Sequence, residues 1–429
     1  MLDIRYIQEN ADTVKRNTED RGSNADVDKT LSLHAIFKAK KQELEAAQRR
    51  SNEISSEFSR ADALQKSILS EESRTLKTLT ATLSQEVASA EHEYMIEMLQ
   101  IPNLTGDDVP SGNDDTGNVT IKTFGTPTKF NFTPKDHIEL GKVLDILDFE
   151  SGAKVSGSKF YFLKNEGVQL ELALVNYALQ IAMKYGFSPM STPELVKDEM
   201  ITASGFTPRG PESQIYSLTE GGLSLIGTSE IPIGGYFYET TILEDNLPIK
   251  IAGISHCFRT EAGSGGRESK GLYRVHQFTK VELYQLVHPQ SSTDAHELML
   301  GMEEEFFQGL KLPYRVMNMC KGDLGAPAYK KYDIEAWMPF FGQDGGYGEV
   351  TSTSNCTDFQ ARRLKTRFKP RDGGKPEFVH TLNGTAVAIT RTLLAIIENN
   401  QNEDGSVTIP EVLTHYLGKT EILPKVKRF

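Results

Sequence analysis

Arginine, glutamate and aromatic residues recur at two-residue spacing in the stretch 256–283, HCFRTEAGSGGRESKGLYRVHQFTKVEL. Two apolar-alternating arms flank a polar connection containing Gly263, Gly265, Gly266 and Gly271, the pattern of a hairpin with a long loop. Strand side chains alternate between faces. Arg259 and Glu261 are therefore expected on one face of the first arm, and His276, Phe278, Lys280 and Glu282 on one face of the second. An arginine fork suits bidentate capture of phosphate, a carboxylate suits an exocyclic amine or an ammonium, and an aromatic ring gives a base a surface to stack on. One sheet face of this composition can hold a nucleotide. The alternation alone also describes an ordinary hairpin with a solvated, mixed-charge outer face.

The full string separates the two readings. FRTEAG followed by GLYRVHQFTKVEL resembles motif 2 of the class II aminoacyl-tRNA synthetases, and among them the seryl-tRNA synthetases. GTSE at 227–230, GEVTSTSNCTDFQARR at 348–363 and NGTAVAITRTLLAIIENNQ at 383–401 agree with that family in the same order, and the resemblance runs over essentially the whole chain. It implies ATP-dependent activation of L-serine to seryl-adenylate and transfer of serine to tRNA(Ser). Such chemistry needs an α-phosphate held for in-line attack by a carboxylate, divalent metal to offset the triphosphate charge, and a pocket that reads the amino acid.

Carried over residue by residue, the resemblance makes Arg259, Glu282 and Arg391 the catalytic group. It implies that Arg259 grips the α-phosphate, Glu261 accepts from the adenine amino group, Val275 lends its backbone near the base and Phe278 stacks on it. Arg391 would sandwich the adenine from the other side. Thr260, Val350 and Thr351 complete the implied ATP site, and Glu349 and Ser352 match the family's oxygen ligands to Mg2+. Simple alternation puts positions three apart on opposite faces, so that last pairing requires a bulge or twist in the strand. For serine, Thr228, Ser229 and Glu230 match a TAE-like motif, and Arg259, Glu282, Asn383 and Thr385 complete the implied pocket. A carboxylate there accepts from both the ammonium and the small hydroxyl, and an unpaired buried acceptor would reject alanine. Excluding threonine rests on sterics. Ser229 stands where the family has alanine, Ser269-Lys270 replace a Thr-Arg pair, Thr385 replaces serine, and Ala386 and Thr390 occupy common glycine positions. These departures bear on fine specificity and on contacts with the tRNA end.

A second reading is a reduced paralogue that binds RNA or loads serine onto a non-tRNA acceptor. Arg259, Glu261, Phe278, Glu282, Glu349 and Arg391 are all present, which favours the enzyme.

At 429 residues, with 38% hydrophobic and 25% charged, the chain has ordinary soluble composition and suits two domains. The net charge of −12 argues against a generic nucleic-acid coat, so RNA contact needs local basic patches. Cys257, Cys320 and Cys356 are widely spaced and form no C-x-x-C pair, which points to a reducing compartment rather than disulfides or zinc. No apolar run is long enough to span a membrane. The N-terminal stretch MLDIRYIQENADTVKRN contains acidic residues and lacks an apolar core, unlike a secretory signal or a transit peptide. FYFLKNEG, IPIGGYF and GDLGAPAYKKYDIEAWMP resemble organellar members of the family, which favours the mitochondrial matrix, with cytoplasm as the alternative.

Apolar positions Leu33, Phe37, Leu44, Ala47, Ile54 and Phe58, and then Leu76, Leu83, Val87, Ala90 and Tyr94, each form one helical seam. Two long helices separated by a polar stretch near 60–70 are expected to pair antiparallel as an arm over about 31–100, standing away from the body. Such a pattern also suits a dimerisation coiled coil. The resemblance implies that the arm holds tRNA, through Lys38, Lys41 and Arg49 with Lys40 and Arg50 near them, while Arg267 and Lys270 of the long loop reach the same RNA.

Residues 102–130, rich in Pro, Gly, Asn and Asp, read as a linker. The expected domains are 1–105, tRNA-binding, and 106–429, catalytic. Beyond the linker a helix is expected at 167–185, strands near 214–227, 248–258, 273–284, 314–320, 331–337, 346–354 and 377–382, and a helix at 385–400. Many strands without βαβ regularity predict an α+β fold, an antiparallel class II synthetase sheet flanked by helices. MKYGFSPMSTPELV at 183–196 resembles motif 1 of the family, whose proline, here Pro193, implies a homodimer. His256 and His380 read as hydrogen-bonded strand histidines and Trp337 as core.

Overall fold

A computed structural model describes residues 1–206, 214–261 and 271–425. The chain divides into two compact units, Met1–Leu104 and Thr105–Phe429.

In the first unit, α1 (Ile4–Glu9) and α2 (Ala11–Asp20) precede α3 (Val27–Phe58) and α4 (Ala63–Met98). Ala47 and Ile54 of α3 and Leu69, Leu83 and Tyr94 of α4 are buried between the two long helices, as one apolar stripe on each permits. Lys29 meets Glu97, Lys40 meets Glu86 and Arg50 meets Glu72, so one helix climbs as the other descends. The turn is shorter than the sequence suggests. Only residues 59–62 connect the helices, because Asp62 accepts from the Gln65 N–H while the Gln65 side chain accepts from the Asp62 N–H, a reciprocal cap that starts α4 at once. Phe58 lies at this end, exposed.

The second unit is built on an eight-stranded sheet. Its strands are β1 (Val119–Phe124), β2 (Ser188–Ser191), β3 (Ile249–Phe258), β4 (Gln277–Val287), β5 (Tyr314–Asn318), β6 (Lys330–Met338), β7 (Gly346–Thr357) and β8 (His380–Ala388). They lie in the order β1-β5-β6-β7-β8-β4-β3-β2. Every neighbouring pair is antiparallel except the edge pair β2 and β3. Helices α6 (Glu166–Lys184), α8 (Ser292–Gly309) and α10 (Ile389–Asn399) supply the apolar side chains that close the main core with the sheet, among them Leu170, Leu174, Met299, Phe306, Leu393 and Ile396. Three shorter helices matter to the site: α5 (His137–Val143), α7 (Glu230–Tyr236) and α9 (Phe359–Leu364).

Several boundaries differ from the sequence expectation. The stretch 102–130 is not a plain linker, since it contributes edge strand β1, paired with β5. Within 214–227 only Leu223–Leu225 forms a strand, with an isolated bridge at Ser217. Strand β8 runs on to Ala388, so Thr385 sits on a strand and the helix begins at Ile389. The run Thr385–Ala388 pairs with Glu282 to Lys280 of β4, and that ladder outweighs the helical reading of TAVA. Gly384 packs so tightly on α8 that a Cβ there would lie 2.7 Å from Glu303 Oε1 and from Met299, which brings that helix hard against the sheet.

Candidate active site

A pocket opens on the centre of the sheet. Arg259, Glu261, Tyr273, Val275, Phe278, Lys280 and Arg391 line it together with Glu349, Val350, Thr351 and Thr385. Strands β4, β7 and β8 and the first turn of α10 carry most of these side chains; Arg259 and Glu261 follow the end of β3, and Tyr273 and Val275 precede β4.

Strand β3 ends at Phe258. Arg259 continues the pairing through its N–H to the His276 carbonyl, but Glu261 has φ 49°, outside strand geometry, so the expected shared strand face of these two residues is not formed. They converge on the pocket from a turn instead. The Arg259 guanidinium carbon lies 5.4 Å from the Phe278 ring centre, and its Nε and Nη2 reach the Gly227 carbonyl at 3.4 Å. Glu261 accepts from Arg274 Nη1 at 3.1 Å, and the Thr260 N–H donates to the Gln214 carbonyl. His276 precedes β4 and turns aside: its Nδ1 lies 3.0 Å from the Arg259 carbonyl and its ring packs 5.1 Å from Phe160.

Phe278, Lys280 and Glu282 do share one face of β4. Lys280 Nζ is buried 2.6 Å from Glu282 Oε2 and 2.8 Å from Thr228 Oγ1, and Thr385 donates to the same Glu282 oxygen at 3.2 Å. The alternation placed Lys280 on this face but assigned it no role. Its partners are Glu282, two residues on along the same strand face, and Thr228, just before α7, and only the second is hidden from local spacing.

Glu230, the first residue of α7, is buried at 5% exposure. Its Oε1 accepts from Gln360 Nε2 at 2.5 Å and from Asn383 Nδ2 at 2.9 Å. Gln360 of α9, which the sequence reading did not single out, also accepts from Thr381 Oγ1 at 2.7 Å, so the amide is fully engaged. Burial, reinforced by the charge of Glu282, pushes the Glu230 carboxyl up to about 7. Ser229 is turned away, donating to the Gly253 carbonyl at 3.3 Å.

On β7 the required irregularity is present. The register with β6 pairs Thr351 with Ile334 and Glu349 with Glu335, leaving Val350 as an extra residue. This bulge returns Glu349 and Ser352 to one face, beside Asp333 and Glu335 of β6. Glu349 pairs with Arg391 Nη1 at 3.1 Å. Desolvation acts to raise the Glu349 carboxyl, but Arg391, Lys331 and Arg259 outweigh it and hold it low, at about 2. The neighbouring Asp333 moves the other way, raised by burial. Ser352 sits beside Asp333 and does not line the pocket itself. Arg391 lies over the Tyr273 ring at 4.6 Å, donating through Nε to the Tyr273 carbonyl and through Nη1 to the Glu349 carbonyl.

Lys38, Lys41 and Arg49 stand exposed on α3 with no ion pair among the described residues, whereas Lys40 and Arg50 are bound to glutamates of the arm itself. Arg267 and Lys270 lie outside the described residues. His256 pairs with Glu194, His380 with Ser292, and Trp337 packs on Tyr347.

The family model for the seryl-tRNA synthetase N-terminal domain matches residues 1–105, and that for the tRNA synthetase class II core domain (G, H, P, S and T) matches residues 217–400. A serine--tRNA ligase of Rubrobacter xylanophilus is 51% identical over 99% of each chain, and one of Treponema denticola is 48% identical over 97% of this chain and 99% of its own. The chain belongs to the seryl-tRNA synthetase family. A solved seryl-tRNA synthetase from Pyrococcus horikoshii, complexed with ATP, superposes with a TM-score of 0.88 at 39% identity, covering 99% of this chain and 100% of that one. Within the seryl-tRNA synthetase fold, the pocket therefore lies inside the matched core, with every lining residue between 259 and 391. No helix among the described residues is long and apolar enough to cross a membrane.

Glu230 yields a pH test. Its carboxyl is near 7 when folded and about 4.5 when unfolded, so the native state holds a proton that the unfolded state has lost between those values. Wild-type stability should fall as pH rises from 4.5 to 7 and then level off, and Glu230→Gln should flatten that slope. Thermal melts across this range check it; an unchanged slope contradicts the buried-acid reading.

Proposed function

We propose that this chain activates L-serine with ATP to seryl-adenylate and then transfers serine to tRNA(Ser), releasing diphosphate and AMP. The observation that carries this reading is one continuous polar seam on the sheet face, from Arg391 and Glu349 past Arg259 and Phe278 to Lys280, Glu282 and Thr228. The first end suits a nucleotide and the second an amino acid.

At the nucleotide end, the adenine lies between Phe278 and the Arg391 guanidinium, with Glu261 accepting from its amino group and the Val275 backbone along its edge. Thr260, Val350 and Thr351 complete this end. Arg259 holds the α-phosphate, so that the serine carboxylate attacks in line and diphosphate leaves from the opposite side. No covalent enzyme intermediate is needed.

Glu349 and Ser352 would hold Mg2+ with the triphosphate. Two hard oxygen donors returned to one face by the bulge fit a cation that keeps several waters and phosphate ligands. The described residues form no cluster of three or more His, Cys, Asp or Glu side chains that would hold a metal alone, which suits a metal arriving with its nucleotide. When bound, Mg2+ offsets the charge on the phosphates.

At the amino-acid end, Glu282 takes the ammonium with Thr228 and Thr385 beside it, and Arg259 orients the carboxylate. Glu230, fixed by Gln360 and Asn383, offers its second oxygen to the hydroxyl, and Ser229 shapes the wall. The exposed Lys38, Lys41 and Arg49 of the arm, with Arg267 and Lys270, contact RNA phosphates. These contacts belong to an N-terminal tRNA-binding domain, 1–105, beside a catalytic domain, 106–429. Deleting residues 33–100 should preserve serine activation and cut tRNA aminoacylation by orders of magnitude; loss of both, with the remaining fold intact, would mean that the arm shapes the active site.

The protein acts as a homodimer. Motif 1 around Pro193 supports this, as do the exposed Leu172 and Met183 of α6. Light scattering should give about twice the chain mass, and a monomer that still aminoacylates rejects the dimer. Three buried free cysteines suit a reducing compartment, the mitochondrial matrix first and the cytoplasm as the alternative, which fractionation of the native cells decides.

Serine-dependent ATP–diphosphate exchange tests the roles. Arg259→Ala should lower kcat by about 100- to 1000-fold, the scale of one lost transition-state contact. Phe278→Leu should weaken ATP by roughly 1–3 kcal/mol with little effect on serine. Glu282→Gln should raise the serine KM while leaving ATP nearly unchanged, and should also lower the melting temperature, because buried Lys280 loses its counter-charge. Weakened ATP with untouched serine in Glu282→Gln would reverse the two ends.

A further inference from the structure

His137 is buried at 5% exposure and belongs to no motif of the reaction, yet it joins three elements of the site. Its Nε2 accepts the Leu272 N–H at 3.1 Å, so that nitrogen carries a lone pair and the proton sits on Nδ1. Nδ1 then donates to Glu398 Oε1 at 2.7 Å, and the His137 backbone N–H donates to the same oxygen at 3.2 Å. Glu398 lies two turns beyond Arg391 on α10, and its other oxygen accepts from the Phe340 N–H at 3.3 Å.

The residues next to these contacts are those of the nucleotide end. Tyr273 follows Leu272; its ring packs on Phe341 at 4.9 Å and lies under Arg391, and its carbonyl takes the Arg391 Nε–H. Gly271 has φ 61°, and a Cβ there would fall 1.9 Å from His137 Nε2. The backbone is thus moulded around the imidazole. Glu398 braces both neighbours of the tyrosine ring, and His137 braces the chain that carries it.

We propose that His137 is a positioning residue for the nucleotide: by accepting the Leu272 N–H while donating to Glu398, it sets Tyr273 and Arg391 against each other. This rests on the reading of the pocket as an ATP site. The interaction acts on one end of the seam only, since the serine end is held by Lys280, Thr228, Gln360 and Asn383, none of which touches this network.

The test uses the full chain, exchange kinetics and thermal melts. His137→Leu should raise the ATP KM by roughly tenfold, the scale of one lost hydrogen bond in a buried setting, and change the serine KM by less than about twofold. His137→Gln, whose amide oxygen can take over the Leu272 N–H, should recover most of that loss. If the leucine variant fails to fold, His137→Asn carries the same expectation, because it retains a donor toward Glu398 but is too short to reach Leu272. Gly271→Ala, which displaces the imidazole, should reproduce the ATP-specific defect and add little in the His137→Asn background. Equal rises in both KM values, or a loss that His137→Gln does not relieve, would overturn the proposal. Phe278→Leu serves as the control: if it leaves the ATP KM unchanged, the ATP-site reading itself fails, whereas a weakened ATP there beside a normal His137→Leu removes only the anchor.

Discussion

Carboxylates gathered in and behind one cleft are the constraint to which the surrounding structure answers: Glu349 lines the pocket, while Glu282 and Glu230 are buried close enough for the charge of one to act on the other. Glu349 is held ionised by Arg391, Lys331 and Arg259, Glu282 is paired with buried Lys280, and Glu230, with no cation against it, is pushed toward its neutral form. A buried ion pair contributes little net stability when complete and costs several kcal/mol when one partner is removed. Such a cleft is therefore set for ligands that bring the missing charge. In the proposed function an ammonium meets Glu282 at one end, and phosphates meet Arg259 and Arg391 at the other.

The antiparallel register delivers these groups. Glu282 stands opposite Thr385 across β4 and β8, so one face of the sheet holds both a carboxylate and the hydroxyl that donates to it. One residue of slip would turn every such side chain into the back layer, where α8 and Glu303 leave no room even for a Cβ at Gly384. At Val350 the two-residue period fails, and the bulge there returns Glu349 and Ser352 to the same side.

What could be read from the sequence follows from how local each signal is. Phe278, Lys280 and Glu282 were placed on one face by alternation, and the two arm helices by their single stripes, because those periods are set within a few residues. Strand β1 escaped because its residues are almost all exposed, so it has no apolar period, and it forms through pairing with a strand nearly two hundred positions later. The end of β8 departs from the sequence expectation for a related reason, since TAVA carries no strong preference and the ladder with β4 decides it. Glu261 broke the alternation with a positive φ that no composition signals. Gln360 and His137 matter through partners brought from elsewhere in the chain, and nothing in their local sequence marks them.

The most direct test is a crystal structure of the full chain with a non-hydrolysable seryl-adenylate analogue. The adenine should lie between Phe278 and Arg391, the ammonium should contact Glu282 with Lys280 still bridging to Thr228, and the hydroxyl should face Glu230. An adenylate with its serine group remote from Glu282, or an adenine outside the Phe278–Arg391 gap, would contradict the division of this face into a nucleotide end and an amino-acid end.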